Sequence, residues 1–363
     1  MRILHLEASN GWGGQEIRIL REAEGMRARG HEAVFGIEKG GGLVARARSA
    51  GFVVYEMAFR KLAWPVTLLH LLKILRRHKI DLVNTHSSLD GWIGGIAARI
   101  ARKKVIRTRH ISAPIRPGIN SRLLYGTLTD FVVTTCSAIV PIIEMQAKTA
   151  CRSIATGVDP EKIKVDGAAS QAFREKWGIE ATDFLVGTAC VMRSWKGIDD
   201  LLEAANLLRD VPHLRWVVIG GGHAEKHHCK ARELGVEGFV QFTGHLDDPF
   251  SAMGALDAFA LLSTANEGVS QAILQAAFLG KPLIATPVGG LCEVCVEGKT
   301  GLQVPPFAPQ QVARAVCALK DDRELRDRLG RGAKEWTLAH FTWRQTLDQM
   351  EEVYQIVGKS KPG

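Results

Sequence analysis

An acidic residue, a glycine and a run of backbone amides stand together in the second half of the chain, where an apolar segment gives way to a helical one. Glu267 precedes Gly268, Val269 and Ser270, which open the helix that contains Gln275. Amides at a helix start carry the positive end of the helix dipole and can hold a phosphate group. A carboxylate accepts hydrogen bonds from hydroxyl groups. These residues therefore predict a site for a phosphorylated, hydroxyl-rich ligand.

Two basic residues on a predicted strand-to-helix loop could bind the diphosphate of such a ligand. Arg193 and Lys196 lie three residues apart in the loop that ends at Gly197. Forked guanidinium donors and ammonium point charges together suit a diphosphate. The alternative is a solvated loop whose charges are incidental, and this motif alone leaves both interpretations open.

Glycines follow several predicted strands and could let a ligand approach the backbone. Gly13 and Gly14 stand between the first strand and the first helix, and Gly220 follows a later strand. Ligands of open α/β sheets bind at the carboxyl ends of the strands, where these turns fall. The first turn lacks the third glycine of a dinucleotide-binding fingerprint. At each position the alternative is a tight turn that serves packing only.

Histidines and arginines follow other predicted strands of the first half. His110 ends a basic segment, and we expect it in a catalytic site because of its position after a strand. His86 follows another strand and either lines the same site or is a buried structural residue. We expect His5 to be structural. Arg109 and Arg116 are candidates for binding an acceptor molecule.

Other groups of possible metal ligands lack a diagnostic spacing. Cys292 and Cys295 form a C-x-x-C pair, but no second pair follows at zinc-finger spacing. His223, His227 and His228 have no acidic partner at a diagnostic spacing, which predicts a solvated helix face. The seven cysteines are scattered, so we expect free thiols, and we expect no metal ion.

The segments that must position these residues alternate between short apolar strands and amphipathic helices. The first series has predicted strands at 1–6, 32–37, 53–57, 82–85, 104–108 and 131–134, with helices at 15–28, 65–77 and 91–102. The second has strands at 184–189, 215–219, 239–242, 258–262 and 283–286, with helices at 199–209, 224–234, 271–279 and 309–319. Such alternation is typical of parallel, doubly wound α/β sheets. We therefore predict two Rossmann-like domains, residues 1–160 and 161–343, followed by a final helix at about 344–357.

Length and composition agree with an ordinary protein of two domains. The chain has 363 residues, of which 46% are apolar and 23% charged. No apolar run approaches the roughly 20 residues that span a bilayer. The first apolar stretch is too short for a signal peptide, which predicts a cytoplasmic address.

The net charge of +9 is concentrated in the first half of the chain. Residues 1–150 contain 23 Lys and Arg against 11 Asp and Glu, whereas the rest contains 24 against 27. Such a basic half suits an anionic partner such as a phosphorylated glycolipid, an acidic membrane or nucleic acid. The segment 64–77 is either a core-packed helix or part of a membrane surface with Arg116 and the basic residues of 99–109. No RNA-binding aromatic motif or zinc finger is present, so we expect no nucleic acid.

The run from Glu267 through 280–290 to Glu293 closely resembles the signature of family 4 glycosyltransferases. Other motifs of that family occur in its order along this chain: Gly13-Gly14, His110, 156–159, Arg193, Lys196-Gly197 and 242–244. The resemblance covers nearly the whole sequence.

This resemblance implies the GT-B fold, in which two Rossmann-like domains face each other and the last helix, here about 344–363, crosses back onto the first. It also implies retention of anomeric configuration without a metal ion or a covalent nucleophile. Carried over by position, Arg193 and Lys196 would neutralise the donor diphosphate, with the amides of 268–270, and Glu267 would hold the sugar hydroxyls. His110 would face the sugar.

Further roles follow from the same resemblance. Gly13 and Gly14 would close over the diphosphate. Independently of the resemblance, we expect Gly220 in the donor site because it follows a strand, and we expect base specificity to depend on the backbone near Gly244, His245 and Leu246. The usual second glutamate of the family motif is Gln275 here, and an amide can still accept a hydrogen bond from a ribose hydroxyl.

The sequence therefore predicts a hexosyltransferase that uses a UDP- or GDP-sugar and a glycan or glycolipid acceptor. We expect it to act in lipopolysaccharide or surface polysaccharide synthesis, in the cytoplasm or at the inner face of the membrane. A sugar-nucleotide epimerase of the same fold is one alternative. A basic module that binds nucleic acid or membrane is the other.

Overall fold

The computed structural model describes residues 1–110, 113 and 115–359. It divides into two units: Met1–Ala155 with the C-terminal helix from Arg344 onward, and Thr156–Trp343. The end of the expected C-terminal segment, 360–363, lies outside the described residues. The observed division falls slightly before the expected one at residue 160. The reason is that Val158 pairs with the segment before the last helix, donating to Phe341 O at 2.7 Å.

The first unit is built on a seven-stranded, fully parallel sheet whose order is β3-β2-β1-β4-β5-β6-β7. Its strands are β1 (Arg2–Glu7), β2 (Glu32–Glu38), β3 (Val53–Met57), β4 (Leu82–Thr85), β5 (Lys104–Arg109), β6 (Phe131–Thr134) and β7 (Cys151–Ser153). Its helices are α1 (Gly14–Ala28), α2 (Gly42–Ser49), α3 (Trp64–Arg77), α4 (Ser88–Ile100), α5 (Ile119–Arg122), α6 (Val140–Ala147) and, from the C-terminus, α15 (Trp343–Lys359). Short 3-10 or π turns lie at Lys61–Ala63, Leu123–Thr127 and Ser137–Ile139.

Both faces of this sheet are covered, because alternate residues of each strand point to opposite sides. Leu4 and Leu6 pack on one side with residues of α3 and α4. Phe35 and Ile37 pack on the other with residues of α1 and α2. The continuous apolar character of these strands follows from burial on both faces.

Helix α15 is docked within the first unit by a buried apolar face and by polar contacts. Met350, Val353 and Tyr354 are buried, and the Tyr354 hydroxyl donates to Glu22 at 2.6 Å. Arg29 forms an ion pair with Glu351 at 2.8 Å. The last helix of the chain therefore completes the first unit, although the second unit separates the two in sequence.

The second unit has a six-stranded parallel sheet of order β10-β9-β8-β11-β12-β13. Its strands are β8 (Phe184–Ala189), β9 (Leu214–Ile219), β10 (Val240–Gly244), β11 (Ala258–Leu261), β12 (Leu283–Ala285) and β13 (Gly301–Gln303). Its helices are α7 (Gly167–Lys176), α8 (Ile198–Leu207), α9 (Ala224–Glu233), α10 (Phe250–Gly254), α11 (Gln271–Phe278), α12 (Leu291–Val294), α13 (Pro309–Asp321) and α14 (Arg323–His340). The core of this unit includes the fully buried Trp216.

The prediction of two Rossmann-like α/β domains is confirmed, and the predicted strands agree with the observed ones to within about a residue at most ends. The prediction of a solvated face at 223–228 was wrong for His227. This side chain is buried, and its Nδ1 lies 2.9 Å from the Asp199 carboxylate. The acidic partner stands on α8, so the spacing along α9 could not reveal it.

Candidate functional site

The acidic and basic residues predicted for the donor site meet at the carboxyl edge of the second sheet. Lys196 follows β8, and Glu267 stands between β11 and α11; the two strands are neighbours. The Lys196 Nζ lies 2.5 Å from the Glu267 Oε1, which also accepts from the Ser263 hydroxyl at 2.7 Å. Glu267 is buried and Lys196 half-buried. The pair therefore forms a polar centre with a shielded acid and a more accessible ammonium group.

Close backbone contacts hold the Lys196 loop against β11. The amide of Thr264 donates to Trp195 O at 2.8 Å. Gly197 has a φ of +68°, and a Cβ there would lie 1.9 Å from Leu262 O. Only glycine accommodates both the left-handed backbone and this approach. Gly197 thus allows the loop to bring Lys196 to Glu267.

The start of α11 presents the backbone amides that the sequence predicted for phosphate binding. In the part of the chain that the structure describes, no protein group accepts a hydrogen bond from the amides of Gly268, Val269 or Ser270. The amide of Gly290 donates to Glu267 O at 3.2 Å. A Cβ on Gly290 would lie 2.5 Å from Val269 N, so this glycine packs directly behind the loop.

Glycine turns form another part of this edge. Gly220 has a φ of +123°, and a Cβ there would lie 2.1 Å from Cys190 O. Its amide donates to Gly244 O at 3.0 Å, which joins the ends of β9 and β10. His245 follows with an exposed side chain, and Leu246 is half-buried.

Two of the predicted donor residues lie beside this arrangement without joining the central pair. Arg193 is exposed, and its guanidinium stacks over the Trp195 ring at 5.3 Å. Gln275 is half-buried on α11. Gln271, one turn before it, instead donates its side-chain amide to Thr156 O.

Three histidines of the first unit, His5, His86 and His110, form a row across the carboxyl ends of three adjacent strands, which we call the histidine row. His5 is on β1, His86 follows β4 and His110 follows β5. His5 Nδ1 lies 3.1 Å from His86 Nε2, and His86 Nδ1 lies 3.1 Å from His110 Nε2. His86 is therefore buried between two other histidines, and His5 belongs to the same cluster.

Burial keeps these imidazoles neutral. It lowers the pKa of His5 to about 3 and is the main reason why the pKa of His86 lies well below its usual range. Burial also lowers the pKa of His110, and the charges of Arg18 and Arg107 lower it further. At neutral pH His110 is a neutral hydrogen-bonding group rather than a cation.

Two buried carboxylates, Glu7 and Asp90, lie in the same unit as the predicted glycines, and Gln15, which follows these glycines, donates its side-chain amide to Glu7 at 2.5 Å. Gly13 caps α1, and its amide donates to Glu16 at 2.8 Å, whereas Gly14 is exposed. The carboxylate of Asp90 accepts from the Ala8 amide at 3.0 Å. Burial and then the charge of Glu7 raise the pKa of Asp90 to about 8. These acids tie the end of β1 to the start of α4.

The acceptor-side candidates have different surroundings. Arg109 donates to the Tyr125 hydroxyl and to Ala113 O, each at 2.5 Å, so its guanidinium already has partners within the first unit. Arg116 is exposed. Its carbonyl accepts from the Ser121 hydroxyl at 2.6 Å.

Possible metal ligands come together at a place that sequence spacing did not reveal. Among the described residues, Glu180, Asp183 and His213 lie close enough to share an ion. Arg215 already pairs with Asp183 at 3.3 Å, and the group lies at the amino ends of β8 and β9, away from Lys196 and Glu267. All seven cysteines are free thiols, as predicted.

Comparison with known proteins identifies the two units separately. Residues 12–165 match the family described as Glycosyltransferase Family 4, and residues 169–336 match the one described as Glycosyl transferases group 1. The D-inositol 3-phosphate glycosyltransferase of Jonesia denitrificans is 29% identical over 309 residues, which cover 76% of this chain and 71% of the relative.

Solved structures agree in fold along the whole chain. HepE of Anabaena, crystallised in complex with UDP, has a TM-score of 0.87 at 23% identity, covering 98% of this chain and all of its own. WaaG, a glycosyltransferase involved in lipopolysaccharide biosynthesis, has a TM-score of 0.71 at 17% identity, with 99% and 100% covered. At these identities the likeness shows a shared fold.

Proposed function

This chain is a hexosyltransferase that belongs to the family 4 glycosyltransferases of GT-B fold, and from that premise we propose that it moves a hexose from a UDP- or GDP-sugar to a glycan or glycolipid. We propose that transfer retains the anomeric configuration. The proposed pathway is lipopolysaccharide or surface polysaccharide synthesis, on the cytoplasmic side of the membrane. The similarity of fold to WaaG, which is involved in lipopolysaccharide biosynthesis, supports the pathway, and the similarity to HepE, which binds UDP, supports the donor.

The observation that carries the proposal is the Lys196–Glu267 pair beside the amides of 268–270, which have no acceptor among the residues that the structure describes. A nucleoside diphosphate leaving group carries growing negative charge, which an ammonium group and helix-start amides stabilise without reorganisation. Glu267 is the acceptor for hydroxyl groups of the transferred sugar. The anionic and polyhydroxylated parts of one sugar nucleotide thus have adjacent partners.

The remaining residues take supporting roles in the proposal. Arg193 reaches the diphosphate from its exposed loop, and the turn at 244–246 binds the base. His110 contributes a neutral hydrogen bond to the sugar, and Gly13 and Gly14 let the diphosphate approach the first unit's loop. No metal ion takes part, because Lys196 and the amides supply the positive charge.

A thermal-shift screen over UDP- and GDP-hexoses, followed by a transfer assay with and without EDTA, tests this function. We expect one nucleotide series to raise the melting temperature and transfer to persist in EDTA. Absence of any shift with both series would contradict the donor site. Loss of transfer in EDTA with rescue by magnesium or manganese would contradict the metal-free mechanism. Consumption of donor in strictly acceptor-free buffer, with an isomeric sugar nucleotide as product, would indicate the epimerase instead.

A surface of the first unit supports a lipid-linked acceptor. Leu62, in the turn before α3, is 92% exposed, and Val66 and Leu69 on α3 are 60% and 68% exposed, although the opposite face of α3 is buried. Lys73 lies on the same helix, and Arg76 and Arg77 form its basic end. We define Leu62, Val66, Leu69 and these three basic residues as the α3 surface. Apolar side chains beside basic ones suit the interface of an anionic membrane. None of the helices within the described residues is long and apolar enough to cross a bilayer.

A further inference from the structure

Three neutral imidazoles in a row have only one proton each, so their hydrogen bonds must all run in one direction. His86 uses both ring nitrogens, Nε2 toward His5 and Nδ1 toward His110. If one of its nitrogens donates, the other must accept. All three rings therefore carry their protons either on Nδ1 or on Nε2. The direction of these hydrogen bonds decides whether the Nδ1 of His110 is a donor or an acceptor.

The His5 end of the histidine row distinguishes between these two directions of hydrogen bonding. The Nε2 of His5 is buried and has no hydrogen-bond partner among the described residues. With protons on Nε2, this atom would be a buried N–H without an acceptor; with protons on Nδ1, it would be an unpaired acceptor. A buried N–H without an acceptor is rare in proteins. The unpartnered Nε2 of His5 therefore favours protons on Nδ1.

The His110 end of the histidine row is open to a ligand. In the described part of the molecule, His110 Nδ1 has no hydrogen-bond partner, and the residue is only partly buried. The His5 and His86 rings are nearly parallel, at 8°, with centroids 5.4 Å apart, and the His110 ring is tilted by 36° from His86 at 5.3 Å. The contact with His86 thus sets both the position and the tautomer of His110.

We propose that His86, backed by His5, is a positioning residue that fixes His110 as the Nδ1–H tautomer, so that His110 donates a hydrogen bond to a hydroxyl oxygen of the transferred sugar. The second half of this statement rests on the proposed function, and the tautomer does not. In water an imidazole exchanges between its two tautomers. A fixed donor removes that choice before the sugar arrives, and such preorganisation lowers the barrier to transfer.

Nitrogen-15 NMR of the full-length protein, labelled at histidine, tests the tautomer directly and without any substrate. We expect His5, His86 and His110 to show proton-bearing Nδ1 and bare Nε2 at neutral pH. Protonation on Nε2 in these rings would overturn the proposal. In His86→Phe, which keeps a ring but no nitrogen, His110 should lose the single Nδ1–H form. An unchanged His110 tautomer in that variant would equally overturn it.

Kinetics with the conservative variant separates positioning from packing. We expect His86→Phe to lower kcat about 10-fold and to leave the affinity for free nucleoside diphosphate unchanged, because that ligand has no sugar. His86→Asn, whose amide can replace the Nδ1–H donor, should recover most of the loss. Equal loss in both variants would contradict the hydrogen-bonded role.

The matched control is Thr108→Val, on the strand that leads to His110. It removes another buried hydrogen bond, from the Thr108 hydroxyl to Asn84 at 2.9 Å, but leaves the histidine row intact. We expect it to keep the wild-type kcat and the His110 tautomer. If the protein transferred no sugar from any donor but showed Nδ1–H rings, the proposed function would fail and the positioning would stand. If the protein transferred sugar but these rings carried their protons on Nε2, the proposed function would stand and the positioning would fail.

Discussion

At the scale of single residues, the ion pair of Lys196 and Glu267 joins two groups to which the proposed function assigns different parts of a sugar nucleotide. Their side chains are 16% and 6% exposed, so the charges are poorly screened by water and depend on one another. Without ligand, each neutralises the other. An ammonium group has three hydrogen-bond donors. Lys196 can therefore keep its bond to Glu267 and still donate to a diphosphate that approaches it.

The first prediction concerns this pair. Lys196→Ala should lower turnover by ~100-fold or more, if a charged contact in the transition state contributes about 3 kcal/mol. It should also weaken nucleoside diphosphate binding. Glu267→Gln should impair transfer but keep or raise that affinity, because the lysine loses its internal counter-charge. Turnover and calorimetric affinity of both variants provide the measurement.

Lys230→Ala is the control for this experiment. It breaks another pair of 2.5 Å in the same unit, to Glu203 on the face of α8 and α9, and it should change neither quantity. If Glu267→Gln abolished diphosphate binding while Lys196→Ala preserved it, the two roles would be exchanged. Wild-type turnover in both would place the donor site elsewhere.

The second prediction concerns the buried His5. Its pKa is about 3 in the folded protein against 6.5 for a free histidine. Between these pH values the unfolded chain binds more protons, so His5 makes the folded state lose stability as pH falls from about 6.5 to 3. The slope has a ceiling of ~1.4 kcal/mol per pH unit for one such group. His5→Phe should therefore flatten the acid side of the stability curve, measured by urea unfolding.

Asp90, in the same unit, changes stability with pH in the opposite direction to His5. Its pKa is raised from 3.8 to about 8, so the folded state binds more protons across that range and stability is lost as pH rises through it. The two effects overlap, and only differences between variant and wild type separate them. His70→Gln, at an exposed position, is the control and should leave the slope unchanged. A His5→Phe curve parallel to wild type would contradict the assignment.

At the scale of elements, the strands could be predicted but their order could not. Runs of branched residues such as Phe184–Ala189 are buried on both faces, so their pattern is local and strong. The contact of Lys196 with Glu267 instead depends on β8 lying next to β11, which no local pattern specifies. The histidine row depends in the same way on β1, β4 and β5 being neighbours. The sequence could thus single out candidate residues, whereas it could not show which of them contact each other.

Other elements were missed because their local signal is weak. Strands β7 and β13 have three residues each, too few for a period to be visible. Helix α14 is long but mostly polar, and only four of its residues are buried. Both kinds of element are stabilised by contacts with neighbouring elements, which a local sequence pattern does not specify.

The third prediction concerns the α3 surface. Replacing Leu62, Val66 and Leu69 together by serine should weaken binding to anionic vesicles roughly 10-fold or more, because losing even one fully buried apolar side chain costs about 1.5–3 kcal/mol and ~1.4 kcal/mol is tenfold. Binding of the wild type should also fall as salt rises. Ile356→Ser, at another exposed apolar position of the first unit, should bind as wild type does. Equal affinity of the wild type for neutral and anionic vesicles would contradict a membrane role.

The fourth prediction concerns the docking of α15. Tyr354→Phe removes the donor to Glu22, a carboxylate that is fully buried, and leaves it short of a partner. We expect the free energy of unfolding to fall by about 1–3 kcal/mol, as read from the denaturant midpoint. Tyr55→Phe loses a half-exposed contact with His78 and should cost less. An equal cost in both variants would show that burial of Glu22 does not matter.

At the scale of the whole molecule, charge and chemistry are divided between the two units. The basic excess belongs to the first half of the sequence, which also contains the histidine row and the α3 surface. The second unit contains the ion pair, the start of α11 and the glycine turns of β9 and β10. This division agrees with an acceptor side that attracts anions and a donor side that binds through a few fixed groups.

The last prediction follows from that division. Every residue proposed to bind the nucleoside diphosphate directly, apart from Gly13 and Gly14, lies within Thr156–Trp343, and this unit has its own core around Trp216. A fragment of residues 156–343 should therefore fold and bind the nucleoside diphosphate with at most a modest loss of affinity, but it should not transfer sugar, because His110 is missing. Circular dichroism establishes folding, and calorimetry measures binding. The same fragment with Lys196→Ala should bind much more weakly, which shows that binding uses the proposed site. A folded fragment without affinity, beside a full-length chain that binds, would mean that the first unit supplies essential contacts to the diphosphate.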